Sequence, residues 1–307
     1  MIGITIASGM RDSPFLRRPI PYQFYADRAI ENAKNNLGLE KVIVLSQEHL
    51  SMINVSDVEQ FSFRKGSDPK IFFLKFFVFR LFPEIDRYVY FDIDWNCMTR
   101  PKNLDIFDSD KLVVVRDSPY FDFIINASKV IDIDPYNYFN AGFYVVNRKA
   151  HANLFEKCIT HYKSAPKVFS EQCVMNYFAH HQNYPIQYAN HMWNLLEYKG
   201  FITKLKCIGF HSPYTYDIFE GREFPPRTID VDIEAMREFS GWFVIRGPNY
   251  YKRIYLLPDG YTDCDFEWIK DYDGNVYIYF AWDGNLAFTF NDSTFSSSEG
   301  FKLVRLS

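Results

Sequence analysis

The sequence predicts an α/β protein built on an open, mostly parallel sheet with helices on both faces, followed by a small antiparallel β domain. Three observations carry this reading. Short apolar runs alternate with helix-like segments over residues 1–215, the pattern of a sheet wound with helices. Aromatic-rich runs separated by Asp-Gly pairs fill residues 236–307, as expected of hairpins whose turns need positive φ. One apolar run, RYVYF, ends abruptly in Asp92 and Asp94, and ligands of such sheets bind beyond the carboxyl ends of the strands.

Taken in order, IGITIAS reads as a first buried strand, followed by a polar loop containing Pro14, Pro19 and Pro21. YQFYADRAIENAKNNLG has a helical period and stops at Gly38. KVIVLS is a second strand. PKIFFLKFFVFRLFP is too densely apolar for a surface helix and is closed by Pro83; the strand RYVYF follows it. KLVVVRD is a further strand, YFNAGFYVVNR another, entered through Asn-Ala-Gly, and EQCVMNYFAHH suits a helix starting near Glu171. KCIGFHSPY carries a short late strand into His211. Pro225-Pro226 marks the break between a first domain, residues 1–230, and a second, residues 236–307, which the Asp259-Gly260, Asp273-Gly274 and Asp283-Gly284 pairs divide into a meander or partial barrel.

Composition narrows the function class. A net charge of -4 without a basic stripe argues against a nucleic-acid partner. The 31 Phe, 22 Tyr and 5 Trp fill cores, but rings with a polar tip also suit sugar or base surfaces. Five scattered cysteines without CxxC spacing read as free thiols of a reducing, cytoplasmic compartment. The most apolar stretch, IFFLKFFVFRLF, is too short to span a bilayer and contains Lys75 and Arg80; association with a membrane surface stays open. MIGITIASGMRD enters a strand at once, with no basic leader before a long apolar stretch.

Two carboxylates at i and i+2 at a strand end can face one hard cation, Mg²⁺ or Mn²⁺, although a solvated strand terminus would carry the same pair. What surrounds them resembles a known family. The strand, Asp-x-Asp and short turn leading into PKNLDIF resemble the metal-binding segment of GT-A glycosyltransferases, and FDIDWNCMTRPKNLDIF is similar to that of glycosyltransferase family 8. YFNAGFYVVN, SEQCVMNYF, NHMWNLL and IGFHSP match further family segments in the same order, so the resemblance covers residues 1–215.

The resemblance implies a GT-A fold and a metal-dependent transfer of sugar from a nucleotide donor, UDP-linked, to an acceptor hydroxyl with retention. The acceptor would be a glycan, a lipid-linked saccharide or a protein. It implies that Asp92, Asp94 and His211 hold Mn²⁺ or Mg²⁺ on the donor diphosphate. Lys75 and Ile93 would face the donor, and Ala7, Ser8 and Tyr25 its base. Asn140, Ala141 and Gly142 would contact the transferred sugar, Glu171 its hydroxyls, and the Gln172 amide would lie near the anomeric carbon; Asn140, Glu171 and Gln172 are the catalytic candidates. The chain departs from the family in four places. HSPYTYDIF lacks the glycine and lysine usual after the histidine, leaving Arg222 or Arg11 to meet the diphosphate. Glu171 replaces an Asp, Trp95 is bulky enough to shape the donor pocket, and the loop GMRDSPFLRRPIPYQ is long. An inverting enzyme would instead use Asp117, Asp122 or Glu171 as a base. A different class is an inactive, carbohydrate-binding or scaffolding protein that reads glycans through Trp242, Trp268 or Trp282; two or more of these rings would equally form a small core. The aromatic module would otherwise hold the acceptor or build a homodimer.

Overall fold

The computed structural model describes residues 1–6, 10–12, 19–46, 58–62, 71–119, 121–161, 171–196, 205–206, 208–211, 229–264, 266–280, 284–291, 294–298 and 300–306. The chain divides into two compact units. The first comprises Met1–Ala189, Trp193–Glu197 and Ile208–Gly221, the second Asn190–Met192, Tyr198–Cys207 and Arg222–Ser307.

The first unit is built on a seven-stranded sheet. Its strands are β1 (Ile2–Ile6), β2 (Lys41–Ser46), β3 (Val58–Ser62), β4 (Arg87–Phe91), β6 (Leu112–Arg116), β7 (Phe139–Asn147) and β8 (Ile186–Ala189), arranged β8-β6-β7-β4-β1-β2-β3. A short β5 (Trp95–Cys97) follows β4 and belongs to a second sheet. β1 runs parallel to β2 and β4, β2 to β3 and β8 to β6, whereas β7 is antiparallel to both of its neighbours. The apolar runs are continuous, not alternating, because both faces are covered: all five residues of β6 are buried, and four of the five in β4.

Helix α1 (Tyr22–Leu37) shows why its residues fold as they do. Ala26, Ala29, Ile30, Ala33 and Leu37 recur at helical spacing and are all buried. Gly38 ends it with φ +66, a left-handed conformation that glycine adopts without a Cβ clash. The dense apolar stretch after Pro69 forms a 3₁₀ helix (Ile71–Phe77) continued by one α-helical turn, α2 (Val78–Leu81). The Arg148 guanidinium donates to the carbonyls of Phe79, Phe82 and Ile85 at 2.9, 2.5 and 3.0 Å, satisfying the groups that the end of this helix exposes. α3 (Asp122–Val130), α4 (Arg148–His161) and α5 (Glu171–His181) complete the unit. Among the described residues, no helix is long and apolar enough to cross a membrane.

A three-stranded sheet at the carboxyl end of β4 joins distant parts of the first unit. β5 pairs antiparallel with β10 (Gly209–His211), and β10 pairs parallel with β9 (Leu195–Leu196). The register sets His211 opposite Trp95, next to Asp94.

The second unit carries α6 (Ile233–Phe239), whose N-cap Asp232 accepts from the Ala235 amide at 3.0 Å. Its strands are β11 (Gly241–Gly247), β12 (Tyr250–Leu256), β13 (Phe266–Lys270), β14 (Val276–Phe280), β15 (Gly284–Asn291), β16 (Thr294–Ser296) and β17 (Lys302–Arg305). They form an antiparallel sheet in the order β12-β11-β17-β16-β15-β14-β13. Gly260 and Gly274 have φ of +92 and +86, the positive values the Asp-Gly pairs predict. Of the three tryptophans, Trp268 is in the core, Trp242 is 38% exposed, and Trp282 lies outside the described residues.

Candidate active site

The site grows from an irregularity in the sheet. Between Val114 and Val115 the partner on β7 jumps from Tyr144 to Asn140, so the segment around Ala141 and Gly142 loses its ladder bonds to β6. Four backbone groups then need partners, and each finds one. The Ala141 amide donates to Gln172 Oε1 at 2.9 Å, and the Ala141 carbonyl accepts from Lys75 Nζ at 3.3 Å. The Gly142 amide donates to Asn140 Oδ1 at 2.8 Å, while the Gly142 carbonyl accepts from the Asp92 amide at 2.8 Å. Asn140–Gly142 therefore lies inside a strand, not in a turn entering one, because β6 pairs again with Asn140 and Phe139 beyond the break.

The glycine at 142 is needed for room. A Cβ there would collide with the His211 ring, lying 2.7 Å from Nδ1, and would come within 2.8 Å of Asn140 Oδ1. His211 fills that space and turns Nε2 toward the two aspartates, 3.2 Å from Asp94 and 3.8 Å from Asp92. One ligand atom from each of Asp92, Asp94 and His211 lies within 4.8 Å of the others. Burial disfavours charge on His211, but the carboxylates of Asp94, Asp92 and Asp117 outweigh it and raise its pKa to about 9. Burial would raise Asp94, yet His211 beside it holds its carboxyl below the ordinary value. Two carboxylates and an imidazole form a donor set that fits Mn²⁺ or Mg²⁺, whose binding would displace the imidazole proton.

Lys75 departs from a surface lysine. Its side chain is fully buried, with Nζ 3.1 Å from Glu171, 3.6 Å from Asp92 and 4.5 Å from the centre of the Tyr90 ring. Burial pulls its pKa down, but the two carboxylates more than compensate and raise it above the usual value, so the ammonium is charged. The 3₁₀ geometry of Ile71–Phe77 and the surrounding aromatic core direct it inward: Phe76 and Phe79 pack on Phe155, and Tyr90 stacks on Tyr144 at 4.7 Å.

Sequence reasoning left two participants outside the site proper. Asp117, named only as an alternative base, accepts at Oδ2 from Asn140 Nδ2 and Gln172 Nε2, both at 3.1 Å. Asn194, quoted only within NHMWNLL, donates to Asn140 Oδ1 at 3.0 Å and lies 3.2 Å from His211 Nδ1 through its Oδ1. Its position beside the late strand, after the tryptophan, was the available signal. Asn176 clamps β7 by accepting from the Phe139 amide and donating to the Phe139 carbonyl. Asp122 is exposed at the start of α3 and makes no part of this group.

Trp95 does not shape a donor pocket. It is fully buried, 5.1 Å from the Phe143 ring and 5.6 Å from Phe91, and donates from Nε1 to the Trp193 carbonyl at 2.9 Å. Gly209 leaves space for it, since a Cβ there would strike its indole. Ile93, between the aspartates, is buried as well. Ala7 and Ser8 lie outside the described residues, as do Arg222 and the side chains of Tyr25 and Arg11.

The model of glycosyl transferase family 8 matches residues 21–206. Among solved structures, the chain is similar to the galactosyltransferase LgtC in complex with donor and acceptor sugar analogues, at a TM-score of 0.53 and 13% identity, over 69% of this chain and 87% of LgtC. It is also similar to the apo WbbM bifunctional glycosyltransferase, at a TM-score of 0.52 and 15% identity, over 69% of this chain but only 45% of WbbM. No curated protein sequence matches the chain. At these identities the two structures speak for the fold, which is that of the GT-A glycosyltransferases.

Proposed function

This chain belongs to glycosyl transferase family 8 and is a glycosyltransferase, and from that premise we propose that it moves a hexose from a UDP-linked donor to an acceptor hydroxyl with a divalent metal, retaining the anomeric configuration. The observation that carries the proposal is the Asp92–Asp94–His211 cluster at the carboxyl end of β4, beside the buried Lys75 and the Asn140–Asp117–Gln172 chain.

Asp92, Asp94 and His211 would hold the cation. When bound there, Mn²⁺ or Mg²⁺ offsets the charge that gathers on the diphosphate leaving group as the glycosidic bond breaks. Lys75 lies buried between Asp92 and Glu171, and its charge holds both carboxylates in place as it approaches the donor side. Asn140 and Gln172 each spend one amide N–H on Asp117, and the remaining N–H of Asn140 is the one to offer a sugar oxygen, since Gln172 also donates to the Tyr138 hydroxyl. Glu171 takes sugar hydroxyls with the carboxylate oxygen that Lys75 does not use. This inventory supports a retaining route without a covalent intermediate. Glu171 is tied to Lys75, and Asp117 Oδ2 already accepts two amides, so neither stands ready as a nucleophile. The leaving phosphate oxygen takes the acceptor proton on the same face, while the new C–O bond forms as the old one breaks.

Residues 1–230 would carry the transfer and residues 236–307 form a separate module that holds the acceptor, a glycan, lipid-linked saccharide or protein, or builds a dimer. The thiols of Cys97, Cys158, Cys173 and Cys264, none of them in a disulfide, support a reducing, cytoplasmic location.

The test is a panel of nucleotide sugars with Mn²⁺, read by thermal shift and by release of nucleoside diphosphate. UDP with Mn²⁺ is expected to stabilise the protein, and EDTA to remove the effect. Stabilisation by another nucleotide would overturn the donor, and equal stabilisation in EDTA would overturn the metal.

A further inference from the structure

Backbone donors fix the orientation of every amide leading to His211. Hydrogen bonds tell apart the two ends of an Asn side chain and the two nitrogens of a histidine. Here the assignment has one solution. The Gly142 N–H can only donate, so the Asn140 atom 2.8 Å away is the carboxamide oxygen. That oxygen cannot face another oxygen, so the Asn194 atom 3.0 Å from it is the NH₂ group. Asn194 therefore presents its oxygen to His211 Nδ1 at 3.2 Å, and Nδ1 must carry hydrogen. The far end agrees: Asn140 Nδ2 and Gln172 Nε2 both point at Asp117 Oδ2, and Gln172 Oε1 is held by the Ala141 N–H.

We infer that Asn194 is a positioning residue that holds the His211 ring through its Nδ1–H, so that Nε2 is the nitrogen aimed at the space shared with Asp92 and Asp94. Turning the ring over would put Cδ2 in place of Nδ1 against the Asn194 oxygen and lose that hydrogen bond. Asn194 also ties the cation side of the site to its sugar side, since the Asn140 oxygen it engages is the one that holds the Gly142 amide. Strain at Asn140 from a bound sugar would reach His211 through one side chain.

This inference rests on the proposed metal site, and the experiment separates the two. Mn²⁺ binding is measured by the EPR signal of the free ion on the full-length protein, without nucleotide, for wild type, Asn194→Leu and Asn194→Asp. Leu removes both hydrogen bonds at similar volume. Asp keeps an acceptor for His211 but meets the Asn140 oxygen with a second acceptor. Losing a partner of this kind costs metal affinity about 10–100-fold, the loss expected for Asn194→Leu. Asn194→Asp is expected to bind Mn²⁺ within about threefold of wild type, since a carboxylate supports a metal-bound histidine well, yet to bind UDP-sugar more weakly. Co²⁺ absorption should show the loss of an imidazole ligand in Asn194→Leu alone. Wild-type affinity in a folded Asn194→Leu, judged by circular dichroism, would sink the inference and leave the metal site standing. Equal loss in both variants would also sink it, because a merely structural asparagine predicts that result. A wild type that takes up no Mn²⁺ would remove the metal reading itself.

Discussion

Gly142→Ala adds a single methyl group to the interior of β7 and should uncouple stability from function. Gly142 has no positive φ, so alanine strains nothing in the backbone, and the loss of a flexible glycine from the unfolded chain favours folding by about 0.4–1 kcal/mol. The cost is local. The new Cβ would lie 2.7 Å from His211 Nδ1 and 2.8 Å from Asn140 Oδ1, whereas ordinary contact begins at 3.4 Å. The ring must retreat by about 0.7 Å, and the ring carbon, closer still, by more. A shift near 1 Å in a catalytic array costs about 10²-fold in rate, and disturbing a metal-bound histidine costs about 10–100-fold in metal affinity. The assay compares Mn²⁺ affinity and transfer rate with the urea midpoint. We expect the first two to fall by those factors, while the midpoint moves only by the difference between the glycine gain and an overpacking cost of about 1–3 kcal/mol. Wild-type Mn²⁺ affinity and turnover in the variant would refute the packing of His211 on Gly142.

Three further outcomes follow from the same geometry. Asp92→Asn or Asp94→Asn should abolish transfer and metal-dependent UDP binding with an unchanged circular dichroism spectrum, and full activity in either would remove that aspartate from the metal set. Lys75→Met leaves Asp92 and Glu171 without their buried counter-charge and should cost about 3–5 kcal/mol in urea unfolding; a midpoint equal to wild type would show that the ammonium is dispensable to the fold. His151 is buried and accepts the Asn147 amide at Nδ1, and burial lowers its pKa to about 4. Its folded value lies below the unfolded one near 6.5, so its contribution is complete above pH ~6.5 and is lost as pH falls toward about 4, by about 3 kcal/mol at most. Stability measured at pH 7 and pH 5 should therefore diverge more in wild type than in His151→Asn, and identical slopes would count against a neutral buried imidazole.

Features that depend on near neighbours were legible in the sequence. The helical period of Ala26, Ala29, Ile30 and Ala33, its stop at Gly38, the positive φ at Gly260 and Gly274, and the end of β4 at Asp92 all arise from local backbone sterics and from side-chain periodicity. The aspartate pair was legible for the same reason: two acids closing an apolar strand contradict a core locally, whatever the rest of the chain does.

Other features needed the folded chain. Lys75 sits in a run that reads as helix, and only partners 66 and 96 positions away, at Ala141 and Glu171, decide that it is buried and charged and not turned to water. Trp95 beside the aspartates reads as pocket wall until Trp193, 98 positions on, takes its N–H into the core. The break in register at Val114 takes Ala141 off the β6 ladder, and the side chains of Lys75 and Gln172, 66 and 31 positions away, answer its carbonyl and its amide. Asn194 joins Asn140 across 54 positions for no reason visible near either residue. The sequence by itself determined the elements and the two carboxylates, because those rest on propensity and pattern. The orientation of His211, the buried ammonium and the amide chain were decided by tertiary structure, because a buried polar group takes whichever partner the closed chain brings within hydrogen-bond reach.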